Sequence, residues 1–106
     1  MSDKATPTKQ TNRDHPVSIS AGTRLSGDVL IYITAHPNRR VKIVSQVGDA
    51  VVDAIRKTVI RILDAGKYPN LYVRVFDNAA PNWVLEARMT TALRRWQATL
   101  SEGVHV

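Results

Sequence analysis

The sequence predicts an α+β fold in which two amphipathic helices pack on one face of a small sheet of three to four strands, in the order ββαβα. Three observations indicate this class. Short β-branched segments alternate with polar residues, two longer segments repeat apolar residues at helical spacing, and Gly, Pro and Asn residues separate the segments. Because each helix must bury its apolar stripe, both are expected to cover the same sheet.

The first strands are predicted in the N-terminal half of the chain. Residues 17–20 (VSIS) alternate and indicate a weak edge strand, and residues 21–28 (AGTRLSGD) indicate a loop. Residues 29–35 (VLIYITA) and 40–47 (RVKIVSQV) are expected to pair as a hairpin. The connecting residues 36–39 (HPNR) place Pro and Asn where a type I turn favours them.

The first helix is predicted over residues 49–65. Asp49 is expected to cap its N-terminus, and Gly66 is expected to close its C-terminus in the left-handed conformation. Its apolar face is formed by residues at three- and four-residue spacing, which are Val51, Val52, Ile55, Val59, Ile62 and Leu63.

A further strand and a second helix complete the fold. Residues 71–76 (LYVRVF) alternate between aliphatic and larger or charged side chains, which predicts a strand. The second helix follows Pro81, a residue that suits a first helical turn. Its apolar stripe is Leu85, Met89, Ala92, Leu93, Trp96 and Leu100.

Composition restricts the classes of function. Of the 106 residues, 43% are hydrophobic and 23% charged, which is typical of a folded domain. No apolar run approaches the roughly 18 residues of a membrane span, and the absence of cysteine excludes disulfides and thiol chemistry of the chain's own. We expect residues 1–16 to form a flexible N-terminal extension and residues 17–106 a single domain that works in the cytoplasm.

The net charge of +6 favours anionic partners, and residues 17–106 carry most of it. Two basic clusters are formed by Arg39, Arg40 and Lys42 and by Arg56, Lys57 and Arg61. Such charge supports phosphate contacts, so a small basic nucleic-acid-binding domain is one hypothesis. Tyr32, Tyr72 and Phe76 are interpreted as isolated, however, and base stacking needs clustered aromatic residues. Nucleic-acid binding therefore ranks below the hypothesis developed next.

Groups suited to catalysis are few. The three histidines, His15, His36 and His105, have no metal-ligand spacing, and the two glutamates form no obvious acid–base pair. An enzyme that acts alone is not predicted. The most informative segment is the loop that contains Ser26, Gly27 and Asp28. Gly27 leaves the Ser26 hydroxyl open on its C-terminal side, although Ser-Gly-Asp by itself is typical of an ordinary turn.

The wider pattern A-G-T-x-x-S-G-D-V-x-I-x-I resembles the start of the acyl carrier (gamma) subunit of bacterial citrate lyase. The resemblance continues in register through residues 45–47 (SQV) and 53–56 (DAIR), and through the spacing of Asp77 and Arg88. It covers residues 20–96. The acyl carrier subunit of malonate decarboxylase, a close relative, shares the S-G-D motif and the Asp-to-Arg spacing.

The resemblance implies that Ser26 carries a phosphoribosyl-dephospho-CoA group, which a dedicated transferase installs through a phosphodiester bond. The thiol of that group holds acetyl and citryl thioesters, and the carrier serves the alpha (acyl-transferase) and beta (lyase) subunits that convert citrate to acetate and oxaloacetate. The chain itself is then a non-catalytic subunit. Gly27 is expected to give clearance for the group, and Asp28 to orient the loop or to contact the transferase. Malonate decarboxylase remains the alternative.

Other residues have weaker expected roles. Arg24 is placed to screen the charge of a phosphodiester at Ser26. Arg56 and Arg88 occupy family-pattern positions and are expected to serve packing or subunit docking. Trp83 and Trp96 are interpreted as core or interface anchors.

Overall fold

The structure is a computed structural model that describes residues 17–105, so the predicted extension over residues 1–16 lies outside the described residues. Its elements are, in order, β1 (Ile19–Gly22), β2 (Asp28–Ala35), β3 (Arg40–Ser45), α1 (Asp49–Ala65), β4 (Leu71–Asn78) and α2 (Asn82–His105). The predicted α+β class is confirmed, and the weak edge strand at the front is present as β1.

The strands form one sheet in the spatial order β1-β2-β4-β3. β2 is antiparallel to both β1 and β4, whereas β3 is parallel to β4. Both helices lie on the same face, α1 against β3 and α2 against β1 and β2. The largest fully buried side chains between the layers are Val29, Ile31, Ile33, Val59, Leu63, Val73, Val75 and Met89. Within residues 17–105, neither helix combines the length and apolarity that a membrane crossing requires.

The predicted hairpin between residues 29–35 and 40–47 is wrong, because β4 lies between the two strands. Leu71, the first residue of β4, pairs with Ala35, the last residue of β2. The short connection after β2 therefore passes across the start of β4 before β3 begins. β4 takes the central position because every second side chain in it is buried, whereas no residue of β3 is fully buried and that strand suits an edge.

The N-terminus of α1 differs from the predicted cap. Gly48 is the N-cap residue, and no side chain caps the helix. Asp49 is already the first helical residue, so its carboxylate does not occupy the cap position. A negative charge in the first turn is favourable because it faces the positive end of the helix dipole.

The C-terminus of α1 closes on Lys67 rather than on Gly66. Gly66 has a right-handed φ of −88°, and Lys67 has a φ of 59°. The Lys67 N–H donates to the Asp64 carbonyl at 3.1 Å and the Tyr68 N–H donates to the Leu63 carbonyl at 3.0 Å, which together form a Schellman motif. Position 66 favours glycine for a different reason, which is space: a Cβ on residue 66 would lie 2.5 Å from the Tyr68 ring.

Lys67→Gly is expected to stabilise the protein by about 0.5–1 kcal/mol, because glycine removes the cost of a left-handed backbone at this position. Chemical denaturation measures the change in the free energy of unfolding. Ala65→Gly is the matched control, since the same type of residue placed in right-handed helix is expected to destabilise by about 0.5–1 kcal/mol. Equal effects of the two substitutions would contradict the left-handed conformation of Lys67.

Candidate functional site

Ser26 lies at the outer corner of a tight turn that leads into β2. The Leu25 carbonyl accepts a hydrogen bond from the Asp28 N–H at 3.0 Å, and Gly27 in the third position has a φ of 82°. These are the features of a type II turn, whose third position favours glycine. Ser26 is exposed, and a Cβ on Gly27 would meet no atom within 4 Å. The space in front of the serine is therefore open to a large group.

Asn78, the last residue of β4, holds this turn against the sheet. Its carbonyl accepts the Gly27 N–H at 2.7 Å, and its side-chain amide donates to the Arg24 carbonyl at 3.0 Å. Sequence reasoning missed this role, because Arg24 and Asn78 are 54 positions apart. The role of Asn78 can be recognised only once β2 is known to pair with β4, because this pairing brings Asn78 opposite Asp28.

Asp28 anchors the other side of the turn through an ion pair with α2. The guanidinium of Arg88 donates from Nε to Oδ1 at 3.0 Å and from Nη2 to Oδ2 at 2.9 Å, which is a bidentate arrangement. The Thr23 hydroxyl and the Val29 N–H also donate to this carboxylate, each at 2.7 Å. Asp28 therefore orients the loop, one of its two expected roles, and Arg88 serves this packing.

The environment of Asp28 favours its charged form. The hydrogen bonds from Arg88 lower the pKa of the Asp28 carboxyl from 3.8 to about 2, and the bonds from Thr23 and Val29 act in the same direction against the opposing effect of burial. The same contact raises the pKa of Arg88. The side chain of Asp28 is only 14% exposed, so this carboxylate is not displayed to a partner in the way Ser26 is.

Asp77 does not contact Arg88, although their spacing belongs to the family pattern. Its buried carboxylate accepts hydrogen bonds from the Ser45 hydroxyl at 2.8 Å and from the N–H groups of Ala79 and Ala80 at 3.3 and 3.0 Å. These bonds shape the connection from β4 to α2, where Ala79 has a left-handed φ of 63°. Asp77 and Arg88 thus support the same end of the fold through separate contacts.

Within residues 17–101 the Ser26 hydroxyl makes no hydrogen bond, and His36 lies beyond the opposite end of β2. The same residues contain no group of three or more His, Asp or Glu side chains that would hold a metal ion.

Three apolar side chains surround this end of the sheet, and we call Leu25, Val47 and Trp83 the apolar rim. They are 72%, 56% and 71% exposed. Leu25 precedes Ser26, Val47 follows the end of β3, and Trp83 lies in the first turn of α2, so all three belong to the end of the fold that carries the turn. Three large apolar side chains are thus left exposed to solvent at the end of the fold that carries Ser26.

The remaining predicted residues have clear places. Arg56 on α1 donates from Nη1 to the Val41 carbonyl at 3.0 Å and so packs the helix against β3. Trp96 is 7% exposed and belongs to the core, whereas Trp83 does not. The guanidinium of Arg24 lies 4.9 Å from the centre of the Phe76 ring, on the sheet rather than over Ser26.

Comparisons with known proteins give matches over most of the chain. A model of an acyl carrier protein family, described as malonate decarboxylase delta subunit (MdcD), matches residues 17–96. A citrate lyase acyl carrier protein of Serratia proteamaculans (strain 568) is 36% identical over 77 residues, which are 71% of this chain and 76% of that protein. No solved structure gives a significant match.

The match covers the whole turn, both strands that hold it and most of α2. The family predicted from the sequence is therefore confirmed. The chain belongs to the malonate decarboxylase delta subunit (MdcD) family of acyl carrier proteins, and it is an acyl carrier protein of the citrate lyase or malonate decarboxylase type.

Proposed function

We propose that this protein is the acyl carrier subunit of a citrate lyase complex in the cytoplasm, with Ser26 as the attachment point of a phosphoribosyl-dephospho-CoA group. The observation that supports this most is the exposed Ser26 hydroxyl at the corner of a turn that Asn78 and Arg88 hold rigidly in place. The similarity to a citrate lyase acyl carrier protein favours citrate as the substrate class.

The residues around Ser26 fit such a group. Gly27 leaves open space beside the hydroxyl, and the guanidinium of Arg24 places positive charge against Phe76, on the sheet next to the turn. When bound, the group supplies the thiol that carries an acyl chain as a thioester. The chain contains no cysteine, so its own side chains do not compete for the acyl group.

The chain's part is to present and position the attached group. In this proposal, the transferase removes the proton of the Ser26 hydroxyl during attachment. Attachment then gives the acyl group a high effective concentration at the sites of the partner subunits, since binding becomes an intramolecular event. The alpha and beta subunits carry out acyl transfer and cleavage in this proposal.

The test is the intact mass of the protein purified from its native host, followed by mapping of its peptides. An added mass equal to phosphoribosyl-dephospho-CoA on the peptide that contains Ser26 supports the proposal. Analysis of the acyl thioester then separates the two candidate complexes. A citryl group indicates citrate lyase, and a malonyl group indicates malonate decarboxylase, the enzyme that the family description names. An unmodified chain from cells that express the transferase contradicts both.

The apolar rim is expected to contact the alpha and beta subunits. Trp83→Ala should weaken their association with the carrier tenfold or more, because exposed tryptophans often dominate interface energies. The free energy of unfolding should change by less than about 0.5 kcal/mol, since the side chain is 71% exposed. Co-purification or surface plasmon resonance with the two subunits measures the association.

The matched control is Leu100→Ala, which removes an exposed apolar side chain near the other end of α2. This substitution should leave subunit association unchanged. Equal losses from Trp83→Ala and Leu100→Ala would show that the rim is not the contact surface.

A further inference from the structure

The face of the sheet opposite the helices is lined by aromatic and basic side chains, and we call it the open face. Its aromatic residues are Tyr32 on β2 and Tyr72 and Phe76 on β4. The interpretation of Tyr32 and Phe76 as isolated is wrong, because the pairing of β2 with β4 places these two residues side by side. Their ring centres are 5.9 Å apart, in an edge-to-face arrangement.

Arginine side chains cover these rings. The guanidinium of Arg74 lies 4.8 Å from the ring centre of Tyr32 and 5.8 Å from that of Tyr72. The guanidinium of Arg40 lies 5.4 Å from the ring centre of Tyr72. A guanidinium that contacts a ring in this way keeps N–H donors that can bind an anion.

The open face is positively charged throughout its centre. Strand alternation places Ser20, Gly22, Asp28, Leu30, Tyr32, Thr34, Arg40, Lys42, Val44, Tyr72, Arg74, Phe76 and Asn78 on this side of the sheet. Asp28, at its edge, is the one acidic residue among them, and its charge is paired with Arg88. An anionic ligand at the centre of the face therefore meets the positive charges of Arg40, Lys42 and Arg74.

This face is continuous with the turn that carries Ser26. Arg24, two residues before the serine, places its guanidinium 4.9 Å from the centre of the Phe76 ring. A shallow depression at this point is lined by Arg24, Val44, Gln46, Phe76, Asp77 and Asn78. A group attached to Ser26 can thus reach the stacked arginines without crossing the helices.

We propose that the open face binds the nucleotide part of the group attached to Ser26, with the purine base stacked on the arginine and tyrosine side chains and the phosphates paired with the guanidinium groups. This inference rests on the proposed function. Base stacking on aromatic and guanidinium planes and bidentate pairing with phosphate are the chemistry that recognises a nucleotide. Weak affinity is sufficient, because a short tether supplies an effective concentration on the order of millimolar.

The position of the face favours a tethered nucleotide over a nucleic-acid strand. Its continuity with the Ser26 turn through Arg24, which contacts the Phe76 ring, places an attached group beside it. Binding to single-stranded nucleic acid is the competing outcome that the experiment separates.

The experiment titrates dephospho-CoA into the unmodified, isotope-labelled chain and follows amide shifts by NMR. Shifts are expected along β2 and β4 and at Arg24, and not along the exposed sides of α1 and α2. Arg74→Gln should raise the dissociation constant fivefold or more, and Arg40→Gln, on the edge strand, should raise it about threefold. Arg94→Gln is the matched control, because it removes the same charge from α2 and should leave binding unchanged.

Three results would overturn the inference. The first is an absence of shifts on the open face, and the second is equal affinities of Arg74→Gln and Arg94→Gln. The third is an oligonucleotide without an adenosine diphosphate end that binds this face tenfold more tightly than dephospho-CoA, which would assign the face to nucleic acid. Ser26→Ala should bind free dephospho-CoA with the same affinity as the parent chain. The binding experiment therefore tests the open face, whereas the mass of the native protein tests attachment at Ser26, and either proposal can be wrong without the other.

Discussion

Replacing Ser26 with alanine is expected to abolish attachment of the prosthetic group completely and, with it, citrate cleavage by the assembled subunits. The substitution removes the only atom that the proposed phosphodiester uses. The fold should remain intact, because Ser26 is exposed and its side chain supports no contact within residues 17–101. Mass spectrometry after co-expression with the transferase measures attachment, and circular dichroism confirms the fold.

Ser20→Ala is the matched control for this substitution, since Ser20 is also an exposed serine and lies on β1. Its variant should be modified to the same extent as the parent chain. Modification that persists in Ser26→Ala, on any residue, would contradict the assignment of the attachment point. Modification lost equally in both variants would point to misfolding rather than to the chemistry of Ser26.

Asp28→Asn is expected to lower the free energy of unfolding at neutral pH by about 1–2 kcal/mol, because it breaks a charged bidentate contact whose guanidinium side remains partly solvated. Asp64→Asn is the matched control. Asp64 also pairs with an arginine, Arg39, but its side chain is 62% exposed, so its loss should cost less than about 0.5 kcal/mol. Equal losses in the free energy of unfolding from the two variants would show that the Asp28–Arg88 contact stabilises the fold no more than an exposed ion pair does.

The pH dependence of stability provides a second measurement on the same pair. The pKa of Asp28 is about 2 in the folded protein against an ordinary value of 3.8. A lowered folded-state pKa means that the contribution is fully present above the ordinary value and is lost as the pH falls through about 2. The parent chain should therefore lose more stability than Asp28→Asn between pH 4 and pH 2, measured by urea denaturation at each pH. Parallel curves would contradict the lowered pKa.

Features that depend on neighbouring residues were predictable from the sequence. The Ser-Gly-Asp turn follows from local chemistry, since Gly27 suits the third position of a type II turn. The helices follow from the spacing of apolar residues such as Ile55 and Val59, which the structure buries. The position of Ser26 on an exposed loop depends on these local signals alone.

Features that depend on strand order were not predictable. Proximity along the chain favoured a hairpin of β2 and β3, but the more apolar β4 takes the place between them. The contacts of Asn78 with the turn and the cluster of Tyr32 with Phe76 both require that insertion. The pairing of Asp28 with Arg88 spans 60 positions and likewise requires the docked position of α2.

The hydrogen bond from the Gly27 N–H to the Asn78 carbonyl joins the Ser26 turn to the sheet, so the turn is expected to be as stable against local opening as the end of β4. Loops that lack such bonds open locally at little cost, whereas this amide is released only when the end of β4 separates from β2. Under the proposed function, Ser26 is then a fixed point of attachment. The attached group would reach only as far as its own free length, so the catalytic sites of the alpha and beta subunits would have to lie within that distance of Ser26.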